Sequence, residues 1–283
     1  MTVLVVGASG HLGGEVSRRY VAAGESVVGT YHGGVRGVDG VDWQRLDLRD
    51  GAAVAELIGR VRPKVVISTA YVYGDWWVSA DGAALVAVAS ARAGARLVHL
   101  SSDVVHGGRP EPYLDHEAPT PVGLYGASKA AAETAVRAID PSAVLVRTSL
   151  IIGDESSKQI KLCLDMINRR VPGALFRDEI RCPLSVGDLA DAVLELAAGD
   201  IAGTLNVAGP DAVSRPELAQ LVADRYGLDA SDMPVGTIAE SGLQRAAEIR
   251  LDSSKAAALL STRLRGVREV LGGHGTQWMA GPD

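Results

Sequence analysis

The sequence is poor in cysteine and in aromatic side chains. Its 283 residues include two cysteines and one phenylalanine, and aromatic residues make up 4% of the chain. Cys163 and Cys182 are too few for a disulfide framework and lack the Cys-x-x-Cys spacing of a structural zinc site, so a reducing cytoplasm is the expected location. A core this low in aromatics must be filled mainly by Ala, Val and Leu, which is typical of a parallel α/β sheet.

Long apolar runs and clusters of basic residues are also missing. A membrane helix needs about 20 apolar residues, and charged or turn residues interrupt every candidate run. The apolar stretch at the N-terminus is short, lacks a basic leader and ends at Gly7, so it predicts a first strand and not a signal peptide. The net charge of -6 attracts neither nucleic acid nor an anionic membrane. We therefore expect a soluble protein with neither as a partner.

Short β-branched runs alternate with Ala-rich runs over the first 150 residues. Because strand and helix alternate, right-handed crossovers and a parallel sheet are expected. The predicted fold class is α/β, with a Rossmann doubly wound sheet over residues 1–150. Strands are predicted at 3–6, 26–30, 43–46, 65–68, 96–101 and 143–148, and helices at 12–23, 52–61, 82–93 and 124–139.

The pattern loosens after residue 150. Helices are predicted at 158–170, 186–198 and 216–226, and Ser214 with Glu217 predicts a capping box at the last of these. A short strand is predicted at 204–207. We expect residues 184–208 to complete the sheet, a smaller C-terminal substrate-binding lobe at 151–183 and 209–272, and a disordered tail at 273–283.

A glycine-rich turn follows the first predicted strand and opens the first helix. In that context, glycines at positions 7, 10 and 13 are typical of a dinucleotide fingerprint, with a tight turn, close approach of the pyrophosphate and close helix–strand packing. Amides at the helix N-terminus would face the anion. The pattern predicts cofactor contacts at Gly7, Ser9, Gly10, His11, Leu12 and Gly13.

The ends of the next strands predict the rest of the cofactor site. Tyr31 and His32 stand where NAD-specific sites carry an acidic residue, and His32 and Arg36 could meet a 2'-phosphate. NADP(H) is therefore the preferred cofactor, with NAD(H) as the alternative. Asp47 is either an adenine contact or a helix N-cap. The remaining predicted cofactor contacts are Leu48, Thr69, Ala70 and Tyr71.

Three side chains predict carbonyl chemistry at the same edge of the sheet. Ser102 follows the fifth strand, and Tyr125 and Lys129 are four residues apart at the start of the next helix, on one face. A nearby cation lowers the cost of a tyrosinate, and such a tyrosine can give a proton to a developing alkoxide. These residues are the predicted catalytic group.

The glycine turn, Ser102 and the Tyr-x-x-x-Lys pair resemble, in order and spacing, the extended short-chain dehydrogenase/reductase superfamily. Segments 100–108, 112–115, 119–121 and 124–133, with 147–153 and 251–255, are similar to the dTDP-4-dehydrorhamnose reductase-like, sugar nucleotide-binding family. The resemblance implies that Ser102 hydrogen-bonds the substrate carbonyl and that Tyr125 protonates it. It also implies that Lys129 holds the cofactor ribose and tunes Tyr125, so both residues contact the cofactor, whose nicotinamide gives the hydride.

The sequence departs from that family at several positions. Ser102 stands in place of Thr, His106 in place of an aromatic residue, and Asp81 in place of an Asn that serves a helix kink and a proton path. An Arg-Pro pair is replaced at 247–250. A nucleotide-linked 4-keto-6-deoxyhexose or a related carbonyl compound is the expected small-molecule substrate. The candidate substrate contacts are Asp103, which could instead cap its loop, Trp76, which could instead cap the core, and His106 and Arg181.

Two other functions stay open. One is an NADP-binding regulatory subunit like the β subunit of methionine adenosyltransferase, and the other is an epimerase or dehydratase that retains NAD. The histidines show no metal-ligand spacing such as His-Glu-x-x-His, so no catalytic metal is predicted. The oligomeric state is left open, with a homodimer as one option.

Overall fold

The computed structural model describes residues 1–35 and 37–272, so Arg36 and the tail predicted at 273–283 lie outside the described residues. The strands are β1 Thr2–Val6, β2 Ser26–Tyr31, β3 Val41–Arg45, β4 Val65–Ser68, β5 Arg96–Leu100, β6 Val144–Arg147, β7 Ile151–Ile152, β8 Leu175–Phe176, β9 Ile180–Arg181, β10 Leu184–Ser185, β11 Gly203–Asn206, β12 Val213–Ser214 and β13 Val235–Gly236.

The helices follow the predicted alternation through residue 139 and continue into the C-terminal half. They are α1 His11–Ala22, α2 Gly51–Val61, α3 Gly82–Ala93, α4 Leu124–Ile139, α5 Lys158–Ile167, α6 Val186–Ala198, α7 Arg215–Tyr226, α8 Ile238–Ser241, α9 Ser254–Leu259 and α10 Val267–Gly272. None of those within the described residues has the length and apolar character needed to cross a bilayer.

Seven strands form one parallel sheet in the order β3-β2-β1-β4-β5-β6-β11. β1 pairs with β2 on one side and with β4 on the other, so the strand order reverses at β1. The predicted doubly wound α/β fold is confirmed, and β11 is its seventh strand. In open sheets of this kind, ligands bind beyond the carboxyl ends of the strands, at the point where the order reverses.

Both faces of the sheet are buried. In β1, Val3 and Val5 pack with α1 and α6 on one face, while Leu4 and Val6 pack with α2 and α3 on the other. Successive side chains of a strand point to opposite faces, so a continuous apolar run is what a sheet covered on both sides requires. A third cluster joins α5, α7 and α10.

Three local features differ from the sequence prediction, and one predicted feature is confirmed. α5 ends at Ile167 and not at 170, because Asn168 caps the helix and Arg169 adopts a positive φ of 52°. Asp50, and not Asp47, is the N-cap of α2, accepting a hydrogen bond from the amide of Ala53. A π-helical turn, Trp77–Asp81, precedes α3. The capping box of Ser214 and Glu217 is confirmed.

Candidate active site

The turn after β1 and the start of α1 have no room for a side chain at Gly7 or Gly13. Gly7 has φ +87°, and a Cβ there would lie 2.8 Å from the backbone of Ala70. A Cβ at Gly13 would lie 2.3 Å from the Gly7 carbonyl oxygen. Gly10 caps α1 without a side-chain hydrogen bond. The arrangement leaves an open cradle at a helix N-terminus, which is the geometry that a pyrophosphate requires.

Side chains from neighbouring strand ends hold this turn in place. The buried Thr30 hydroxyl accepts a hydrogen bond from the Gly7 amide at 2.9 Å. The Thr69 hydroxyl donates to the Val6 carbonyl at 3.0 Å. The cradle is therefore fixed by β2 and β4 as well as by its own glycines.

The ends of β2 and β3 meet at an exposed polar edge. His32 Nε2 lies 3.5 Å from Asp47 Oδ2, so the sheet brings together two residues predicted to contact the cofactor. Arg49, which sequence reasoning did not single out, pairs with both Asp47 and Asp75. A backbone hydrogen bond from Arg49 is the main reason that the pKa of Asp47 is lowered. Two basic side chains and two carboxylates thus share this edge.

Tyr125 lies in the first turn of α4 against two other tyrosines. Its ring centroid is 5.5 Å from that of Tyr71 and 5.1 Å from that of Tyr73. Burial raises the pKa of the Tyr125 phenol, Tyr71 and Asp103 raise it further, and Ser102 acts in the opposite direction. The phenol is therefore protonated at neutral pH and can donate its proton. Tyr73, with 71% of its surface exposed, was not predicted as a site residue.

Lys129 is buried one helical turn further along α4. Its Nζ donates to the Leu100 carbonyl at 2.5 Å, at the end of β5. Burial lowers the pKa of Lys129 to about 8, and the Glu133 charge opposes that shift. The charges that act on Tyr125 come from Tyr71, Asp103 and Tyr73, so tuning of the phenol by Lys129 stays a prediction.

Asp103 connects Ser102 to the strands beside it. Its carboxylate accepts a hydrogen bond from the Ser102 hydroxyl at 3.2 Å and from the Ser149 hydroxyl at 2.7 Å. Arg181 Nε lies 3.6 Å away. Burial raises the pKa of Asp103, and Arg181 and Ser149 oppose that shift. The carboxylate orients Ser102, a role that neither sequence alternative anticipated.

His106 and Arg181, both predicted as substrate contacts, are buried in this structure, and their contact with a substrate stays a prediction. His106 is fully buried, stacked on Tyr113 at 3.9 Å, with Nε2 3.3 Å from an Arg147 guanidinium nitrogen. Arg181 is 3% exposed and donates to the carbonyls of Ala246 and Ala247. Both side chains are held inside because the Pro- and Gly-rich loop after β5 and the segment at 246–247 fold back over the sheet. Because the loop has no periodic sequence pattern, the burial of these two side chains could not be predicted from the sequence.

Trp76 and Asp81 flank the π-helical turn before α3. Trp76 is 39% exposed and so does not cap the core, and its neighbour Trp77 is 66% exposed. Asp81 is the last residue of the π turn, so the helix irregularity forms with Asp at this position. Sequence reasoning could place the Trp pair near the sheet edge but not determine its exposure.

A cavity of about 220 Å³ lies in the C-terminal part of the chain. The residues that line it include Phe176, Glu179, Arg215 and Arg245. The buried Glu179 carboxylate pairs with Arg245 at 2.8 Å and lies within 4.0 Å of Arg181 and Arg215. One carboxylate therefore faces three guanidinium groups. Within residues 1–35 and 37–272, no group of three or more His, Cys, Asp or Glu side chains is placed to hold a metal ion.

This fold, with a glycine cradle and the Ser-Tyr-Lys group at one sheet edge, is that of an extended short-chain dehydrogenase/reductase. The chain belongs to the family described as RmlD substrate binding domain, whose model matches residues 1–274. Family membership had been predicted from the motifs, and it is confirmed.

Relatives with different roles resemble this chain. A dTDP-4-dehydrorhamnose reductase of Mycobacterium tuberculosis is 31% identical over 247 residues, covering 80% of this chain and 76% of the relative. Methionine adenosyltransferase 2 subunit beta of Rattus norvegicus is 27% identical over 273 residues, covering 89% and 80%. A dTDP-4-dehydrorhamnose reductase from Bacillus anthracis, solved in complex with NADP, has the same fold, with a TM-score of 0.78, 24% identity and coverage of 95% and 96%. The prediction of an NAD(P)-dependent oxidoreductase agrees with the reductase names.

Proposed function

We propose that this protein is an NADPH-dependent ketone reductase that acts on a nucleotide-linked 4-keto-6-deoxyhexose, with Tyr125 as proton donor. The observation that carries the proposal is that Ser102 lies beside Tyr125 at the end of β5, where Lys129 donates to the Leu100 carbonyl. The glycine cradle lies at the same edge. Together they supply a proton donor, a second hydroxyl and a place for the dinucleotide.

The cradle residues fit a dinucleotide because the backbone at Gly7 and Gly13 admits no Cβ without displacement. NADPH, when bound, supplies the hydride. No acidic residue follows β2 directly, and Arg49, with His32 beside it, can donate hydrogen bonds to a 2'-phosphate at the edge that Asp47 also occupies. NADP(H) is therefore the preferred cofactor, and NAD(H) is expected to bind less well.

The chain's own residues handle the proton and the oxygen of the substrate. The Ser102 hydroxyl donates its single proton to Asp103 in the free protein, and on substrate binding it turns that proton to the carbonyl oxygen. Tyr125 gives its proton to that oxygen as the carbonyl carbon is reduced, so the ketone becomes a secondary alcohol. Lys129, largely protonated below its pKa of about 8, holds the ribose hydroxyls of the cofactor. The tyrosinate regains a proton from solvent before the next turnover.

The cavity in the C-terminal part supports a nucleotide-linked substrate. Arginine binds phosphate oxygens through paired hydrogen bonds, and the three guanidinium groups around Glu179 leave an excess of positive charge. Phe176 lines this cavity, and the Arg245 guanidinium lies over its ring, 5.9 Å from the centroid. Glu179 and Arg181 connect this cavity to Asp103 and hence to Ser102.

Replacing Tyr125 with Phe tests the proposal. With dTDP-4-keto-6-deoxyhexose as substrate, Tyr125→Phe should lower kcat by about 100-fold or more, because general acid catalysis is lost. NADPH affinity, measured by fluorescence titration, should stay near the wild-type value. Tyr73→Phe is the matched control, since it removes a neighbouring phenol that plays no part in the mechanism. Wild-type turnover by Tyr125→Phe would refute Tyr125 as the proton donor.

The similarity to methionine adenosyltransferase 2 subunit beta, over 89% of this chain, favours a regulatory subunit as second candidate. Copurification of one partner at a fixed stoichiometry, with no ketone reduced across a panel of nucleotide sugars, would support it. An epimerase or dehydratase would instead retain NAD at full occupancy through purification. NADPH that exchanges freely supports the reductase.

A further inference from the structure

Three polar residues of α4 face the last residues of β5 in register. Tyr125, Lys129 and Glu133 are four residues apart, so they lie on one face of the helix. Lys129 donates to the Leu100 carbonyl at 2.5 Å, and Glu133 Oε1 accepts from the Ser101 hydroxyl at 2.6 Å. Two turns of the helix thus bind Leu100, the last residue of β5, and Ser101, which directly precedes Ser102.

Glu133 is held rigidly at the far end of this row. It is fully buried, and Arg147 of β6 donates to both carboxylate oxygens, from Nε at 3.0 Å and from a terminal nitrogen at 2.8 Å. The other terminal nitrogen of Arg147 donates to the carbonyls of Asp115 and Glu117. The pair therefore ties α4, β5, β6 and the loop after β5 together at one point.

We propose that Glu133 is a positioning residue for the reaction, which fixes α4 against the end of β5 so that Ser102, Tyr125 and Lys129 stay in one register. The proposal rests on the proposed reductase function for its catalytic consequence. The proposed mechanism gives Glu133 no contact with substrate or cofactor. It acts through Ser101, which precedes Ser102, and through Lys129, which lies one turn away.

The charge of Glu133 has a second effect on the site. Lys129 is buried, which disfavours its ammonium form, and Glu133 opposes that effect. The other titratable or charged groups that face the two residues are Arg147 from β6, His106 from the loop after β5 and His99 from β5. His99 and His106 are both held neutral near pH 7, so Glu133 is the carboxylate that favours protonated Lys129.

Two variants separate the geometric effect from the electrostatic one. Glu133→Gln removes the charge, so Lys129 should lose its proton at a pH about one unit lower, as read from NMR titration of labelled lysine and from the alkaline limb of NADPH binding. Ser101→Ala removes the strand contact and keeps the charge. It should lower kcat about tenfold with the Lys129 titration unchanged, because a small misplacement of reacting groups is costly.

Asp188→Asn is the matched control, because Asp188 is also a buried helix carboxylate that binds an arginine, Arg265, outside the site. Asp188→Asn should lower the free energy of unfolding, but it should change neither kcat nor the titration of Lys129. The proposal is overturned if Ser101→Ala keeps wild-type kcat, or if Lys129 in Glu133→Gln titrates as in the wild type. Should Glu133→Gln fail to fold, Ser101→Ala alone decides the geometric claim. If no substrate is reduced at all, the reductase function fails, while the Lys129 titration still decides whether Glu133 acts on Lys129.

Discussion

The Asp103 carboxylate lies 3.6 Å from the Arg181 guanidinium, and this contact joins the end of β5 to the C-terminal part of the chain. Arg181 also donates to the carbonyls of Ala246 and Ala247, so a shift of that segment would reach Asp103 and then the hydroxyl of Ser102. In the proposed mechanism, this one buried ion pair therefore links the catalytic residues to the substrate cavity.

Replacing Asp103 with Asn should disorder Ser102. The amide has one acceptor oxygen in place of two, and it leaves Arg181 without its negative partner at this position. We expect kcat to fall about tenfold with little change in NADPH affinity, and the free energy of unfolding to fall by about 1–3 kcal/mol. Steady-state kinetics and urea unfolding measure both effects. Asp165→Asn, on α5, is the control, and an unchanged kcat in Asp103→Asn would contradict the orienting role.

Replacing Gly13 with Ala should abolish cofactor binding. The new Cβ would lie 2.3 Å from the Gly7 carbonyl, so the turn and α1 must move apart. Overpacking of this kind costs about 1–3 kcal/mol. The measurement is the rise in melting temperature on adding NADPH, which should disappear. Gly14→Ala tests the same helix at a position where a Cβ would lie 3.4 Å from the Ala8 carbonyl, and it should keep the rise.

His106 makes stability depend on pH in the acid range. Burial and the Arg147 charge lower the pKa of His106 from 6.5 to about 4. Between these values the unfolded chain binds a proton that the folded chain does not, so the free energy of unfolding falls as pH falls through this window. The loss is about 1.4 kcal/mol per pH unit. His106→Phe should make the curve less steep between pH 6.5 and 4, while the buried His99 keeps part of the slope. An equally steep curve in the variant would contradict this assignment.

Arg245 should determine affinity for the nucleotide part of the substrate. Its side chain is 41% exposed, pairs with Glu179 and lies over Phe176. Arg245→Ala should raise KM for the nucleotide-linked ketone about tenfold, equivalent to about 1.4 kcal/mol, while kcat changes little. Arg263→Ala removes an arginine that pairs with Glu269 elsewhere and should leave KM unchanged. If Arg245→Ala and Arg263→Ala have the same KM, this cavity does not bind the nucleotide part of the substrate.

Sequence reasoning succeeded where periodicity or a motif carried the signal. All six strands up to residue 148 were predicted, and β1, β4 and β6 were clearest because a strand covered on both faces must be continuously apolar. β3 is a partly exposed edge strand with the sequence VDWQR. The capping box at Ser214 was readable because its two residues have a fixed spacing. The glycine turn was readable for the same reason, and the structure has no room for a Cβ at Gly7 or Gly13.

It failed where the path of an irregular segment decides which polar groups are buried. His106 and Arg181 look like pocket residues in sequence, yet backbone carbonyls and stacked rings surround them. Glu133 of α4 pairs with Arg147 of β6, 14 residues later, and no local sequence pattern predicts this pair. The exposed Tyr73 reaches Tyr125 because β4 ends and α4 begins at the same edge of the sheet.

The place of β11 in the sheet limits how this chain can be divided. β6 pairs along its whole length with β11, whose residues Gly203–Asn206 come more than fifty positions later. A fragment that stopped at residue 150 would leave the apolar β6 as an open edge strand, which is a template for aggregation. Truncations, fusions and circular permutations of this protein should therefore keep residues 1–206 together, because β11, which comes late in the chain, covers the hydrogen-bonding edge of β6.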